Sequence, residues 1–132
     1  MTDPTPTPTI TITQTLIDAY AVISGDFNPV HVNPGFAAQT PFGQTIAHGC
    51  LPMEPIFRLV QARLGVPVMP QGSRMTLRYL RPAHPGDTIG IVVTAWAGEA
   101  LEFQCVNQRG EVVIEGAVRD VRLPPQPNGA ET

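Results

Sequence analysis

An aspartate and a histidine lie five residues apart in a stretch that has glycine and proline but no periodic apolar pattern. Asp26 and His31 belong to the run SGDFNPVH, and the tripeptide AHG follows with His48 and Gly49. A carboxylate and an imidazole that turn into one pocket can share a water molecule, one accepting a proton while the other donates one. The pair therefore predicts acid-base chemistry on water.

Ordinary structural roles also account for some of these residues. Aspartate after Ser-Gly and asparagine before proline are frequent in turns and caps, so the spacing alone leaves turn formation and catalysis both open. The histidines show neither HxH nor HExxH spacing, the cysteines show no CxxC spacing, and no glycine-rich phosphate loop follows a strand. We therefore expect no metal site and no bound cofactor.

The composition limits the other classes of function. With 132 residues and 42% hydrophobic content, the chain suits one globular domain. Its net charge of -3 gives no basic surface for nucleic acid or anionic membrane, and the absence of lysine excludes Schiff-base chemistry. No apolar stretch approaches the ~18 to 20 residues that span a bilayer. We expect a cytoplasmic protein, with Cys50 and Cys105 as buried free thiols and with a second copy covering part of its surface.

The ends of the chain differ in composition from the middle. Residues 1–8 alternate threonine and proline, and residues 124–132 collect proline, glutamine, asparagine and glycine. Such compositions do not form a packed core. We predict a single domain over residues 9–123 between two flexible tails.

The first part of the domain predicts a short strand and then helices. Ile10 and Ile12 alternate with threonine, and Thr13 can cap a helix that ends near Ser24. Residues 26–45 are expected to be irregular, with one helical turn near 34–40. A second helix is predicted from about Gly49 to Leu64, or from a later residue if Pro52 and Pro55 do not fit in its first turn. It should be buried, because its apolar residues cover most of the circumference.

After Gly72 the apolar period changes to two, which predicts antiparallel strands. The strands begin near Arg74, Ile89, Leu101 and Val112, with hairpin turns at Gly98 and at Gly110. A buried helix next to about four successive strands implies a curved sheet wrapped around that helix. The predicted class is α+β.

The motif residues carry a resemblance to a known family. The run SGDFNPVH with the later AHG resembles the hallmark of the MaoC-like, (R)-specific enoyl-CoA hydratase family of the hot-dog fold, in which SGDxNPxH precedes AHG. The resemblance extends over about residues 10 to 122. Its weaker parts are Tyr20-Ala21, Phe36-Ala37, Phe42-Gly43, Arg81-Pro82 and Pro85-Gly86-Asp87.

The resemblance implies a hydro-lyase that adds water to a trans-2-enoyl thioester, or removes it from a 3-hydroxyacyl thioester. Asp26 and His31 would be the catalytic pair, the Gly49 N–H would donate to the thioester carbonyl, and Asn28 would steady the loop. An N–H at a helix start suits the enolate charge that develops on that oxygen. His48 is expected to hydrogen-bond locally at the start of the helix, with direct substrate contact as the alternative.

The implied substrate is an acyl-CoA or acyl-carrier-protein thioester, and the implied assembly is a homodimer or a dimer of dimers. Arg74 and Arg78 share one strand face and could bind phosphates of the carrier, although a solvated strand face explains them as well. Where the family usually has methionine after AHG, this chain has Cys50. Glu54 is also unfamiliar; near the acyl pocket it would favour a short or polar acyl group, whereas in the first helical turn it would face solvent.

Two other functions remain open at the level of sequence. A hot-dog thioesterase would use a similar scaffold for hydrolysis, but such enzymes do not usually carry the SGDxNPxH run. A noncatalytic acyl-binding or partner subunit is the other alternative, and the intact Asp26, His31 and Gly49 argue against it.

Overall fold

The computed structural model describes residues 7–123, so the predicted tails fall largely on residues that it does not describe. The order of elements is β1, α1, α2, α3, α4 and then four strands. Their bounds are β1 Thr9–Thr11, α1 Gln14–Ser24, α2 Pro29–Val32, α3 Pro34–Ala38, α4 Glu54–Leu64, β2 Arg74–Tyr79, β3 Thr88–Ala97, β4 Ala100–Val106 and β5 Val112–Arg119. None of the helices described here has the length and apolar character needed to cross a bilayer.

The strands form one antiparallel sheet in the order β1-β3-β4-β5-β2. Gly98 and Gly110 occupy the two predicted hairpin turns with φ of 59° and 76°, a region that glycine adopts without strain. Register shifts after Val93 and after Cys105 mark bulges, which bend strands. The predicted α+β class and the four predicted strands are confirmed.

Side chains alternate between the two faces of the sheet, and the inner face holds the core. Leu101, Phe103 and Cys105 of β4 are almost completely buried, as are Ile114 and Val118 of β5. Helix α4 packs on this face through its buried residues Pro55, Ile56, Leu59 and Val60. The outer face of β2 instead carries exposed polar residues.

Helix α4 begins later than the sequence predicts. Residues 49–53 form turns, and the helix starts at Glu54, with Gly65 ending it at φ 66°. Pro52 and Pro55 lack an N–H and disfavour helical backbone in the residue before them, so a helix is compatible with Pro55 only in its first turn. The prediction that Gly49 starts this helix is wrong, and the N–H of Gly49 lies five residues before it.

The helix is also less completely buried than predicted. Arg58 and Ala62 are exposed within the single chain, while Ile56 and Val60 have no exposed surface. The Arg58 guanidinium pairs with Glu54 at 2.7 Å one turn earlier. Glu54 therefore lies in the first helical turn towards solvent, the second of the two positions considered from sequence.

Gly116 of β5 is expected to tolerate no side chain. A Cβ added there would lie 2.7 Å from the Thr76 backbone oxygen and 2.9 Å from both Leu77 and Phe103. We expect Gly116→Ala to lower the free energy of unfolding by about 1–3 kcal/mol, because backbone must move. Gly90→Ala is the matched control, since its Cβ would meet only Thr9 at 3.7 Å. Urea denaturation measures both, and equal stability of the two variants would contradict the expectation.

Candidate functional site

His31 lies in the short helix α2, within the segment that the sequence predicts to be irregular. Asn28 caps α2 by accepting a hydrogen bond from the Val30 N–H at 3.1 Å, and Pro29 occupies the first helical position, where its missing N–H costs little. Asn33 and Pro34 repeat the arrangement at the start of α3. The two Asn-Pro pairs in the sequence therefore indicate where both helices start. Asn28 bonds the loop through its side-chain oxygen, and the role that the resemblance gives it stays a prediction.

The turn before α2 presents the carboxylate of Asp26. The Ser24 hydroxyl accepts a hydrogen bond from the Asp26 N–H at 3.2 Å, and Asp26 Oδ1 accepts one from the Asn28 N–H at 3.1 Å. Gly25 supports this turn with φ of 76°. One carboxylate oxygen is therefore fixed to the backbone, and Oδ2 is free to meet His31.

The predicted convergence of Asp26 and His31 is present in the structure. Asp26 Oδ2 lies 3.8 Å from His31 Nε2, with the aspartate side chain 53% exposed and the histidine side chain 13% exposed. This separation is longer than a direct hydrogen bond, and a water placed to one side of the line can contact both atoms at about 2.8 Å. The geometry suits a shared water that is reached from solvent.

A backbone carbonyl sets the orientation of the His31 ring. His31 Nδ1 lies 2.8 Å from the Ile46 carbonyl oxygen, which can only accept, so Nδ1 carries the proton. In the neutral ring Nε2 is then an acceptor that faces Asp26. A water between them can donate to both groups, which is the arrangement that general base catalysis needs.

His48 is buried and contacts both members of the pair. Its Nε2–H donates to the backbone carbonyl of Asp26 at 2.9 Å, and its ring stacks on His31 with centroids 4.0 Å apart. The expected local hydrogen bond at a helix start is therefore wrong, because the acceptor is 22 residues away. His48 Nδ1 has no hydrogen-bond partner among the described residues, a cost of about 1–3 kcal/mol for a buried acceptor.

Asp26, His31 and His48 each offer a possible ligand atom within 4.8 Å of the others. However, the two imidazole planes are stacked at an angle of 27°. A ring nitrogen binds a metal in its own plane at about 2.0–2.1 Å, so nearly parallel rings 4.0 Å apart do not aim at one ion. The arrangement fits proton transfer better than metal binding.

A largely apolar cavity of about 430 Å³ adjoins the pair and includes Gly49. His31 and Gly49 both line it, and most of its wall is Phe42, Ile46, Ala47, Pro52, Tyr79, Leu80, Pro82 and Ala83. Among residues 7–123, no backbone carbonyl accepts from the Gly49 N–H. The Gly49 carbonyl accepts from the Tyr79 hydroxyl at 3.0 Å. Gly49 thus lies where it could meet a thioester.

Two tyrosines near the site keep their protons. A hydrogen bond with the Cys50 side chain and then burial raise the pKa of Tyr20, and the charge of Asp26 adds to the effect. Burial is the largest cause that raises the pKa of Tyr79, and the charges of Cys50 and Cys105 raise it further. Both groups therefore stay neutral at physiological pH, and Tyr79 remains a donor to Gly49.

The two arginines of the predicted phosphate site lie elsewhere. Arg74 and Arg78 are on the outer face of β2, where they pair with Asp120 at 3.4 Å and with Glu115 at 3.5 Å. Neither lines the cavity that holds His31 and Gly49, whereas Arg81 does. Strand alternation is the reason, because Tyr79 and Arg78 point to opposite faces. Substrate binding by Arg74 and Arg78 stays a prediction.

The two cysteines differ in exposure, so the prediction that both are buried is wrong for Cys50. Burial raises the pKa of Cys105 to about 12, which leaves roughly one thiolate in ten thousand at pH 8. We expect a disulfide reagent at that pH to modify one thiol per native chain, and the second only after unfolding. Cys50→Ser should abolish the fast reaction, and a fast reaction that persists in this variant would contradict the assignment.

Some groups of the site had no signal in the residue pattern. The Ile46 carbonyl orients His31 through its backbone, which any residue type supplies. Tyr79 reaches Gly49 from strand β2, 30 residues away, and the pairing depends on how the strand packs against the turn. By contrast, the run SGDFNPVH indicated the position of Asp26 and His31 directly.

Comparison with known proteins identifies the family. A family model described as a MaoC-like domain matches residues 2–117. The chain is 37% identical over 117 residues to an (R)-specific enoyl-CoA hydratase of Aeromonas caviae, covering 82% of this chain and 84% of the relative. It is 31% identical over 101 residues to peroxisomal multifunctional enzyme type 2 of Mus musculus, covering 75% of this chain and 14% of that enzyme.

A solved structure gives the same result for the fold. The structure of an (R)-hydratase from A. caviae involved in PHA biosynthesis superposes with a TM-score of 0.69 at 28% identity. The match covers 84% of this chain and 88% of that one. The antiparallel sheet with its packed helix is thus the hot-dog fold, as the resemblance implied. The chain spans most of this hydratase but only a small part of the mouse multifunctional enzyme.

Proposed function

The chain belongs to the family of MaoC-like domains, and from this premise we propose that it catalyses the (R)-specific hydration of a trans-2-enoyl thioester or the reverse dehydration. The observation that carries the proposal is the 3.8 Å separation of Asp26 Oδ2 and His31 Nε2 beside an apolar cavity. A carboxylate and a neutral imidazole nitrogen at this separation can both accept from one water.

In the direction of hydration, the pair activates water for attack on the β carbon. Asp26 takes a proton from the water that His31 holds, the resulting hydroxide adds to the β carbon, and the pair returns the same proton to the α carbon on the same face. The product is an (R)-3-hydroxyacyl thioester, and dehydration follows the same steps in reverse. Such acid-base groups typically contribute about 10²–10⁴ in rate.

Attack at the β carbon moves negative charge onto the thioester oxygen. The Gly49 N–H is the proposed donor to that oxygen, since it lies in the cavity wall with His31 and is not used by a backbone carbonyl of residues 7–123. Helix α4 starts at Glu54, so its dipole adds less than the sequence suggested. The Gly49 N–H therefore stabilises the charge on the thioester oxygen through its position rather than through the helix dipole.

The cavity accounts for the proposed substrate class. Its mostly apolar wall suits an acyl chain, and the same wall includes Arg81, which pairs with Glu111 at 3.9 Å and whose half-exposed guanidinium faces solvent where a CoA or carrier-protein group would lie. The Glu54 carboxylate is paired with Arg58, so it does not make the acyl site acidic. The reaction needs no cofactor in this scheme, because water and the thioester are the only reactants.

We propose a homodimer as the working assembly. Large apolar side chains are exposed on the elements around the site, and β2 is an edge strand of the described sheet. A second copy that covers them would remove apolar surface from water. The exposed residues are Val22, Ile23, Phe27, Phe36, Phe42, Tyr79 and Leu80. Light scattering on the protein as it elutes from a size-exclusion column measures the mass of the assembly.

The cytoplasmic location stays a prediction.

The function is tested by mixing the protein with crotonyl-CoA and with longer or branched enoyl-CoAs. We expect the absorbance of the conjugated thioester to fall and chiral analysis to give the (R)-3-hydroxyacyl product. Free thiol released from saturated acyl-CoA would identify a thioesterase instead. Binding across the panel without turnover would identify an acyl-binding subunit, and either outcome contradicts the proposal.

A further inference from the structure

The His48 side chain contacts both members of the proposed pair. Its Nε2–H donates to the Asp26 carbonyl at 2.9 Å, and its ring stacks 4.0 Å from the ring of His31. We propose that His48 is a positioning residue, which holds the Asp26 turn and the His31 ring at the separation that lets them share one water. This inference rests on the proposed function, because the shared water belongs to the proposed hydration reaction.

The hydrogen bonds of Asp26 support this role. The other described hydrogen-bond partners of Asp26 are the Ser24 hydroxyl and the Asn28 N–H, and each lies within two residues of Asp26. Such local bonds shape the turn but do not fix where the turn lies relative to the rest of the fold. The bond from His48 joins Asp26 to a segment 22 residues away, and it therefore sets the position of the carboxylate.

The packing of the His48 ring supports positioning rather than substrate contact. The residue is 4% exposed, and its ring centroid lies 4.9 Å from that of Tyr20 in a T-shaped contact and 4.0 Å from that of His31 in a stacked one. Little of its surface remains for a substrate. An apolar ring would fill the same space without an unpaired Nδ1, so the hydrogen bond from Nε2 explains why an imidazole lies here.

His48 also directly precedes Gly49, the proposed oxyanion donor. The same short segment therefore places the carboxylate, the imidazole and the amide relative to one another. A displacement of about 1 Å in such an arrangement can lower a rate about 10²-fold. Positioning of this kind should appear in kcat rather than in KM, because the buried His48 ring leaves little surface for bound substrate.

Two substitutions separate the two contacts. His48→Phe keeps a ring for stacking and removes the donor, whereas His48→Gln keeps an N–H donor of similar reach and removes the ring. We expect each to lower kcat for enoyl-CoA hydration about tenfold or more, with KM changed less than about twofold. Arg122→Gln is the control, since the exposed Arg122 side chain pairs with Glu99 at 2.8 Å, next to the Gly98 turn. It should retain wild-type kcat.

A double-mutant cycle excludes a general loss of folded enzyme. If His48 acts through Asp26, then His48→Phe adds no further loss in an Asp26→Asn background. A loss of stability alone would lower kcat by the same factor in the Asp26→Asn background as in the wild type, so the two losses would multiply. Multiplicative losses, or wild-type kcat in His48→Phe, would overturn the proposal.

Crystal structures of the wild type and of His48→Phe give a readout that needs no turnover. We expect the Asp26 Oδ2 to His31 Nε2 distance to change from 3.8 Å by about 1 Å or more. An unchanged distance overturns the positioning role even if the enzyme hydrates enoyl-CoA. Absence of hydration by the wild type would instead refute the proposed function and leave the distance as the measure of His48.

Discussion

Asp26→Asn is expected to lower kcat for enoyl-CoA hydration about 10²–10⁴-fold, which is the contribution of a positioned acid-base group. The amide has the shape of the carboxylate and can keep the bond from the Asn28 N–H, but it cannot accept a proton from water. His31→Ala should cause a loss in the same range. Initial rates with crotonyl-CoA at saturating concentration measure both effects.

Controls separate chemistry from structure in this experiment. His31→Ala also removes the bond to the Ile46 carbonyl, whereas the amide of His31→Asn can donate to the same oxygen without offering an Nε2. Asp18→Asn alters an exposed carboxylate whose one hydrogen bond among residues 7–123 comes from Gln14, and it should keep full activity. The double variant of Asp26 and His31 should be little worse than either single variant, because both groups act on one water. Full activity in either single variant would refute the mechanism.

Gly49→Ala is expected to lower kcat/KM about 10²-fold, although the alanine keeps the backbone N–H. A Cβ at this position would lie 2.9 Å from the Tyr79 hydroxyl and 3.1 Å from Tyr79 Cζ. The Tyr79 ring and the residue 49 backbone must therefore separate, and a shift of about 1 Å in the donor is enough for a loss of this size. Steady-state kinetics with crotonyl-CoA measures the effect.

The cause can be checked by giving the new methyl group room. Gly49→Ala combined with Tyr79→Ala should recover activity towards the level of Tyr79→Ala alone, because the contact is then absent. Gly35→Ala is the matched glycine control, since its Cβ would approach only Asn33, at 3.5 Å. A double variant as impaired as Gly49→Ala would show that the contact with Tyr79 is not the cause.

The positions of the strands along the chain and the central pair could be predicted from the sequence for physical reasons that are local, whereas the pairing of β2 with β5 was not predicted. The alternation from Arg74 onwards and the turn glycines Gly98 and Gly110 depend on neighbouring residues, and these elements lie where predicted. Asp26 and His31 are linked by a short stretch with Pro29, so their convergence also follows from nearby backbone.

The features that were missed depend on contacts between distant segments or on proline. The start of α4 moved to Glu54 because Pro52 and Pro55 outweighed the apolar pattern from Gly49 onwards. The partner of His48, the Asp26 carbonyl, follows from tertiary packing and not from the residues beside His48. The exposure of Cys50 has the same origin, since its neighbours in sequence are apolar or small.

The segment from Ile46 to Ala47 is bonded on both sides to other parts of the chain. The Ile46 N–H donates to the Val30 carbonyl at 3.1 Å, and the Ala47 N–H donates to the Ala83 carbonyl at 2.8 Å. The reacting groups are thus held in place by a few long-range backbone hydrogen bonds at the margin of the sheet. These bonds lie outside the continuous ladder of hydrogen bonds between the strands. Local opening of this margin should need less free energy than global unfolding, so mild denaturant would abolish turnover while the sheet still gives a native circular dichroism spectrum.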